Sequence, residues 1–216
     1  MGRLSLGVLA SGRGSNFQAI IDEIETGKLD AAIKVLIVDN SDAYAVERAK
    51  RHSIEYAYIN PLEFQTRDGF FEKIADVLKA KGVDLVILAG FMRIVRKPLI
   101  DAFSNRIMNI HPAILPSFPG LHSQKQAVDY GVKISGCTVH FVEDGMDTGP
   151  IIIQAAVPVS PDDTEETLSE RILRMEHRIY PEAIRLYSEG RLKVEGRVVN
   201  IKGYEPTDEF ILNPPI

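Results

Sequence analysis

Apolar and polar positions alternate along the chain in blocks of two kinds. The stretches "LSLGVLAS" (4–11), "AAIKVLIVD" (31–39), "IEYAYIN" (54–60) and "VDLVILAG" (83–90) are short, nearly continuous apolar runs. Runs of that length, bounded by Gly, Asp and Asn, predict strands, the first of them buried. Between them lie stretches with helical spacing. "NFQAIIDEIETGK" (16–28) places Phe17, Ile20, Ile21 and Ile24 on one face, with Gly27 as a stop. "AYAVERAKRH" (43–52) and "FQTRDGFFEKIADVLKAKG" (64–82) predict two more helices. Strand and helix repeat with short connections, which argues for βαβ units and a mostly parallel sheet covered on both faces.

The second half is less regular. "RIMNIH" (106–111) predicts a strand and "SQKQAVDYG" (123–131) a short helix. "ISGCTVHFVEDGMDTGPIIIQAAVPV" (134–159) predicts two strands joined by a loop rich in Gly and Asp; an antiparallel pair there would make the sheet mixed. "DDTEETLSERILRMEHRIYPEAIRLYSEG" (162–190) predicts a long helix with acidic residues at its positive end. Pro181 should kink or split that helix. The tail from 191 to 216 predicts a hairpin and an irregular end.

Composition narrows the function classes. The 216 residues suit one domain, or at most one domain with an appendage, and 45% hydrophobic residues suffice for a sizeable core. A net charge of -5 argues against general nucleic-acid binding, which needs excess Lys and Arg. The single cysteine, Cys137, allows no intrachain disulfide, reads as a packed apolar residue, and belongs to no Cys/His cluster of zinc spacing. The opening "MGRLSLGVLASG" runs into a glycine loop and predicts a core strand, not a signal peptide. No apolar run reaches the roughly 18 residues of a membrane span, so a cytoplasmic protein is expected.

Four stretches carry candidate chemistry. "SGRGSN" (11–16) follows the first strand and opens the first helix. It fits either an anion, typically a phosphate, on the helix start or a tight turn without a ligand. Ser15 and Asn16 can cap that helix. "NIHPAILPSFPG" (109–120) ends a strand; alternation puts Asn109 and His111 on one face, where a donor pair could meet an oxyanion, and the prolines stiffen the loop after them. His111 reads equally well as a structural histidine. "EDGMDTGP" (143–150) is an acid-rich loop in which Asp144 reads as solvated, whereas Asp147 could orient an imidazole. "LAGFMRIV" (88–95) is either core packing or a backbone edge for a flat apolar ligand.

These four stretches, in this order, resemble the folate-dependent formyltransferases of purine synthesis, the glycinamide ribonucleotide transformylases. The resemblance runs from about residue 4 to 190 and rests on "ASGRGSN", "LAGFMRI", "NIHPAILPSFPGLH", "TVHFVEDGMDTGP" and "EHRIYP". It implies a Rossmann-like α/β formyltransferase domain over 1–190, its N-terminal half for ribotide phosphate and its C-terminal half for folate, with 191–216 as a tail. It implies transfer of a formyl group from 10-formyltetrahydrofolate to the amine of 5-phosphoribosylglycinamide, without a metal. Asn109 would donate to the formyl oxygen. His111 would stabilise the oxyanion and pass protons, and Asp147 would orient His111 and help hold its proton. Gly14, Ser15 and Asn16 would hold the ribotide phosphate. Glu176 would meet the glycinamide end, although alone it reads as a helix-surface carboxylate. The pterin would lie along Met92, Arg93, Ile94 and Val95 and the loop Glu143, Asp144, Gly145, Met146 and Asp147, with Arg67 near the carboxylate end of the folate. His140 and His122 match the same family without an assigned step. The expected partners are these two small molecules, with no nucleic acid or membrane and a homodimer as the assembly to test. A formyltetrahydrofolate hydrolase and a non-catalytic nucleotide-binding module are the rivals. A methionyl-tRNA formyltransferase would need a basic appended domain.

Overall fold

The structure of the protein is a computed structural model, which describes residues 2–205. The apolar runs become strands β1 (Leu4–Ala10), β2 (Ala31–Val38), β3 (Tyr56–Tyr58), β4 (Leu85–Leu88), β5 (Ile107–His111), β6 (Ile134–Phe141) and β7 (Ile151–Pro158). The amphipathic stretches become α1 (Ser15–Glu25), α2 (Ala45–Arg51), α3 (Arg67–Ala80), α5 (Ser123–Tyr130) and α6 (Glu165–Ser188). Helix α4 (Lys97–Ala102) has no counterpart in the patterning; it is too short to show a period, and Pro98 sits in its first turn. The tail forms the hairpin β8 (Leu192–Glu195) and β9 (Val198–Ile201); the rest of the predicted tail lies outside the described residues.

Among the described residues, nine strands form one sheet in the order β3-β2-β1-β4-β5-β6-β7-β9-β8. The pairs from β3 to β5 are parallel, β6 is antiparallel to both neighbours, and β7 meets β9 in parallel. The sheet is therefore mostly parallel and mixed, as the patterning predicts. The appendage is in fact part of the sheet, because β9 joins β7 through Ile151 and Val198.

Strand alternation divides the core between the faces. Leu36 and Val38 of β2 and Leu85 and Ile87 of β4 pack with Phe17, Ile20, Ala45, Ala127 and Ile184 of α1, α2, α5 and α6. Val35, Ile37, Val86 and Leu88 pack with Phe70, Phe71, Ile74 and Leu99 of α3 and α4. Two of these α-helices have side-chain caps: Thr66 accepts from the Gly69 amide, and Thr164 forms a capping box with Thr167 ahead of Glu165 and Glu166. Pro181 does not split α6, which runs unbroken through it. The lost bond to the His177 carbonyl is outweighed by packing: Ile179, Tyr180, Ala183 and Ile184 stand on either side of the proline and are all buried in one cluster. Tyr180 also directs its hydroxyl at the carbonyls of Leu88 (3.0 Å) and Met108 (2.8 Å), tying α6 to β4 and β5. Among the described residues no helix is long and apolar enough to cross a membrane.

Candidate active site

The chain reverses its direction of strand addition between β1 and β4, so the loops leaving their carboxyl ends diverge and open a crevice. The loops are stitched together at that edge. The Ser11 amide donates to the Gly90 carbonyl (3.0 Å), and the Met92 amide donates to Ser11 Oγ (2.9 Å). Beside this seam lies a cavity of about 750 Å³, lined among others by Met92, Ile94, Asn109, His111, His140 and Asp147.

The sheet register builds the polar end of the cavity. Asn109 and His111 face it from β5, as alternation requires. Antiparallel pairing with β6 sets His140 opposite Asn109 and Thr138 opposite His111. Asn109 Nδ2 lies 3.1 Å from His140 Nε2, and His140 Nδ1 lies 2.8 Å from the Phe141 carbonyl. His140 is buried, and that burial pushes its pKa below the ordinary value, the Phe141 bond and Asp147 acting in the other direction. His111 is buried as well. Its Nε2 lies 2.8 Å from the Phe118 carbonyl and its Nδ1 3.4 Å from Asp147 Oδ2. A carbonyl only accepts, so Nε2 carries a proton; a ring protonated on both nitrogens would find both partnered. Asp147 Oδ2 also accepts from the Gly120 amide at 2.9 Å.

The proline-rich segment after His111 is clamped chiefly by side chains. Thr138 Oγ1 donates to the Ala113 carbonyl (2.7 Å) and accepts from the Leu115 amide (3.0 Å), while Gln154 Nε2 donates to the Leu115 carbonyl (2.9 Å). Gly120 has φ 82°, a left-handed backbone that favours glycine, and a Cβ there would stand 2.9 Å from Met146 Sδ, so a side chain at this turn would strain the backbone and push the Met146 side chain aside.

The phosphate-loop candidates sit at the start of α1, but the predicted caps are absent. The cap position is Gly14, with φ 66° and no side-chain bond, so Ser15 and Asn16 already belong to the helix. A Cβ on Gly14 would lie 2.8 Å from the Ala45 Cβ, so this glycine serves the approach of α2 as well as any ligand. Asn16 instead donates Nδ2 to Glu176 Oε2 (2.7 Å), and its Oδ1 is buried without a partner. Glu176 is not a surface carboxylate: it is buried, and desolvation holds its carboxyl above the usual range despite the Asn16 bond. These residues lie outside the 750 Å³ cavity and meet it through the Ser11 seam.

The folate candidates divide. Met92, Arg93, Ile94, Val95, Glu143, Gly145, Met146 and Asp147 line the cavity. Met92, Ile94 and Met146 are exposed, whereas Val95 is packed into the core on the α3 side. Asp144 is exposed and not part of the lining, and Arg67 is exposed at the start of α3, also outside it. Sequence reading misses Asp39. Its buried carboxylate, at the end of β2, binds Arg93 Nε at 2.5 Å, and the Arg93 guanidinium lies 5.7 Å from the Phe70 ring centroid. It also leaves His140 without a role. An acid following an apolar strand and a histidine inside one are the only signals for these two, because neither contact is local. His122 stands on the cavity rim, 3.4 Å from Glu165. Among the described residues no cluster of His, Cys, Asp or Glu could hold a metal.

The comparisons agree with this architecture. A crystal structure of glycinamide ribonucleotide transformylase 1 from Symbiobacterium toebii superimposes with a TM-score of 0.92 at 54% identity, covering 93% of this chain and 95% of that one. The phosphoribosylglycinamide formyltransferase of Escherichia coli (strain K12) is 37% identical over 93% of this chain and 94% of its own length. The trifunctional purine biosynthetic protein adenosine-3 of Drosophila pseudoobscura pseudoobscura is 43% identical over 95% of this chain, which spans 15% of that protein. The family model described as formyl transferase matches residues 5–184, from β1 to the turn before the last of α6, and the chain belongs to that family.

Proposed function

We propose that the protein transfers the formyl group of 10-formyltetrahydrofolate to the amine of 5-phosphoribosylglycinamide, in the cytoplasm. The observation that carries this reading is the convergence of Asn109, His111, His140 and Asp147 at one end of an otherwise largely apolar cavity, in a chain that aligns nearly end to end with a phosphoribosylglycinamide formyltransferase. A flat pterin suits the cavity wall formed by Met92 to Val95 and the 143–147 loop. The ribotide phosphate suits the amides at the start of α1, which places its glycinamide arm toward Asn16 and Glu176.

In this reading the amine attacks the formyl carbon and negative charge develops on the formyl oxygen; collapse of the adduct then breaks the bond to the folate nitrogen, which leaves carrying the proton that the attacking amine gives up. The Asn109 amide donates to the formyl oxygen. His111, whose Nε2–H points at the Phe118 carbonyl, turns that donor to the oxygen once substrate enters. Hydrogen bonds from protein donors aimed at such charge stabilise it more than water does. Asp147 stands behind the other ring nitrogen. The 1–190 segment is the formyltransferase domain, the hairpin being an addition to it, and a homodimer is the assembly to test by sedimentation.

The test is turnover. Formyl-folate should be consumed rapidly only when the ribotide is present, with formylated ribotide as product. Consumption at the same rate without ribotide would make the protein a hydrolase, and binding without consumption would make it a nucleotide-binding module.

A further inference from the structure

One contact in the cavity has no part in the proposed chemistry: the buried ring of His140 against Asn109. The Phe141 carbonyl can only accept, so His140 Nδ1, 2.8 Å away, must carry a proton. The neutral ring then has a bare lone pair on Nε2. Asn109 stands 3.1 Å from that lone pair and can meet it only with its NH2 group, since its oxygen would place two lone pairs face to face. The side-chain amide of Asn109 is thereby fixed in one of its two orientations, which otherwise have nearly the same shape. Turning it over would exchange Oδ1 and Nδ2 and move the remaining N–H to the other lobe.

Resting on the formyl-transfer reading, we infer that His140 is a positioning residue that acts through Asn109: its Nε2 lone pair holds the amide so that a donor, not the carbonyl oxygen, meets the charge forming on the substrate. Ring burial supports this, because it disfavours a second proton on Nε2. The other ionisable groups that face the ring are Asp147, whose Oδ1 lies 3.7 Å from Nε2 on the 143–147 loop, and His111 on β5. A doubly protonated His140 would turn to Asp147 and release Asn109.

Nitrogen-15 NMR of the imidazoles, in the full chain near neutral pH, should find His140 protonated on Nδ1 and bare on Nε2. The opposite tautomer overturns the inference, whatever the enzyme's activity. Kinetics supply a second decision. His140→Ala should lower kcat by about tenfold to a hundredfold, part of the roughly hundredfold cost of losing an oxyanion donor, with KM for both substrates within about twofold. His140→Gln, whose amide oxygen can stand near the Nε2 position, should recover most of that loss. His140→Ala combined with Asn109→Ala should be no slower than Asn109→Ala alone. A double variant slower by the product of the single losses, or a Gln variant no better than Ala at equal thermal stability, overturns the lock. A wild-type enzyme that transfers no formyl group would remove the proposed function instead, with the tautomer still deciding the Asn109 contact.

Discussion

Three residues of the site carry measurable consequences one at a time. Asn109→Ala and His111→Ala should each lower kcat by roughly a hundredfold or more, the usual cost of one oxyanion donor. A circular-dichroism melt must accompany the kinetics, because His111 is also a buried link between the Phe118 carbonyl and Asp147. A variant that melts early yet turns over normally would make His111 a structural residue. Glu176 gives an effect of opposite sign on stability. Burial raises its folded-state pKa above the ordinary 4.5, so the folded state holds the proton more tightly than the unfolded one. The resulting penalty is absent below the unfolded value, grows as the pH climbs from there to the raised folded value, and is constant above it. Glu176→Gln removes the charge while its amide oxygen still accepts from Asn16. It should raise Tm at pH 8 by about 2–4 °C for each kcal/mol recovered and leave it unchanged near pH 4, while weakening ribotide binding. A Tm shift of equal size at both pH values would show that ionisation is not its source.

At the scale of elements, the approach of α1 to α2 passes through Gly14. Valine there would need a left-handed backbone that a branched residue resists, and would drive a methyl into Ala45, 2.8 Å from the Cβ position. Gly14→Val should therefore weaken the ribotide by tenfold or more in calorimetric titration, lower Tm by several degrees, and leave the affinity for formyl-folate within about twofold; an unchanged ribotide affinity would separate this turn from the phosphate. Sequence alone assigns Gly14 to the ligand and gives no sign of Ala45, and the contrast shows what a sequence can carry. Strands β1, β2 and β4 and helices α1, α3 and α6 are legible because their apolar periods are local. The pairing of Asn109 with His111 is legible for the same reason, since alternation within one strand settles it. Asn16 and Glu176 are 160 residues apart, and only the packing of α1 beside α6 reveals their bond, so in sequence Asn16 looks like a cap and Glu176 like a surface acid. His140 and Thr138 depend on the β5–β6 register, which no strand contains by itself. Pro181 errs in the other direction only as to a split: its local rule is sound, but the core on both sides of it keeps the helix continuous across one lost hydrogen bond.

At the scale of the whole molecule, the sheet continues past the region that the family model covers, which ends at residue 184. The hairpin β8–β9 extends it by two strands, attached through the single pair Ile151 and Val198, the Arg191 amide on the Leu186 carbonyl, and the partly buried Leu192, Val194 and Val199. Among the described residues, none that lines the cavity lies beyond Glu165, and the Asn16–Glu176 bond sits within α1 and α6. A chain ending at Gly190 should therefore keep its kinetic constants within about twofold while losing stability. Three half-buried side chains at about 1 kcal/mol each suggest a loss of about 3 kcal/mol, or roughly 6–12 °C in Tm for a domain of this size. The cut also frees Ile151, the one position of β7 that pairs with β9 among the described residues; the rest of that edge is already without a neighbouring strand, so the tendency to pair between copies should rise only slightly. Calorimetry, light scattering and turnover on the two proteins separate the effects. Lost turnover at an unchanged Tm would assign the hairpin to the site, and failure to fold at all would mean that the domain boundary at 190 is drawn inside the cooperative unit.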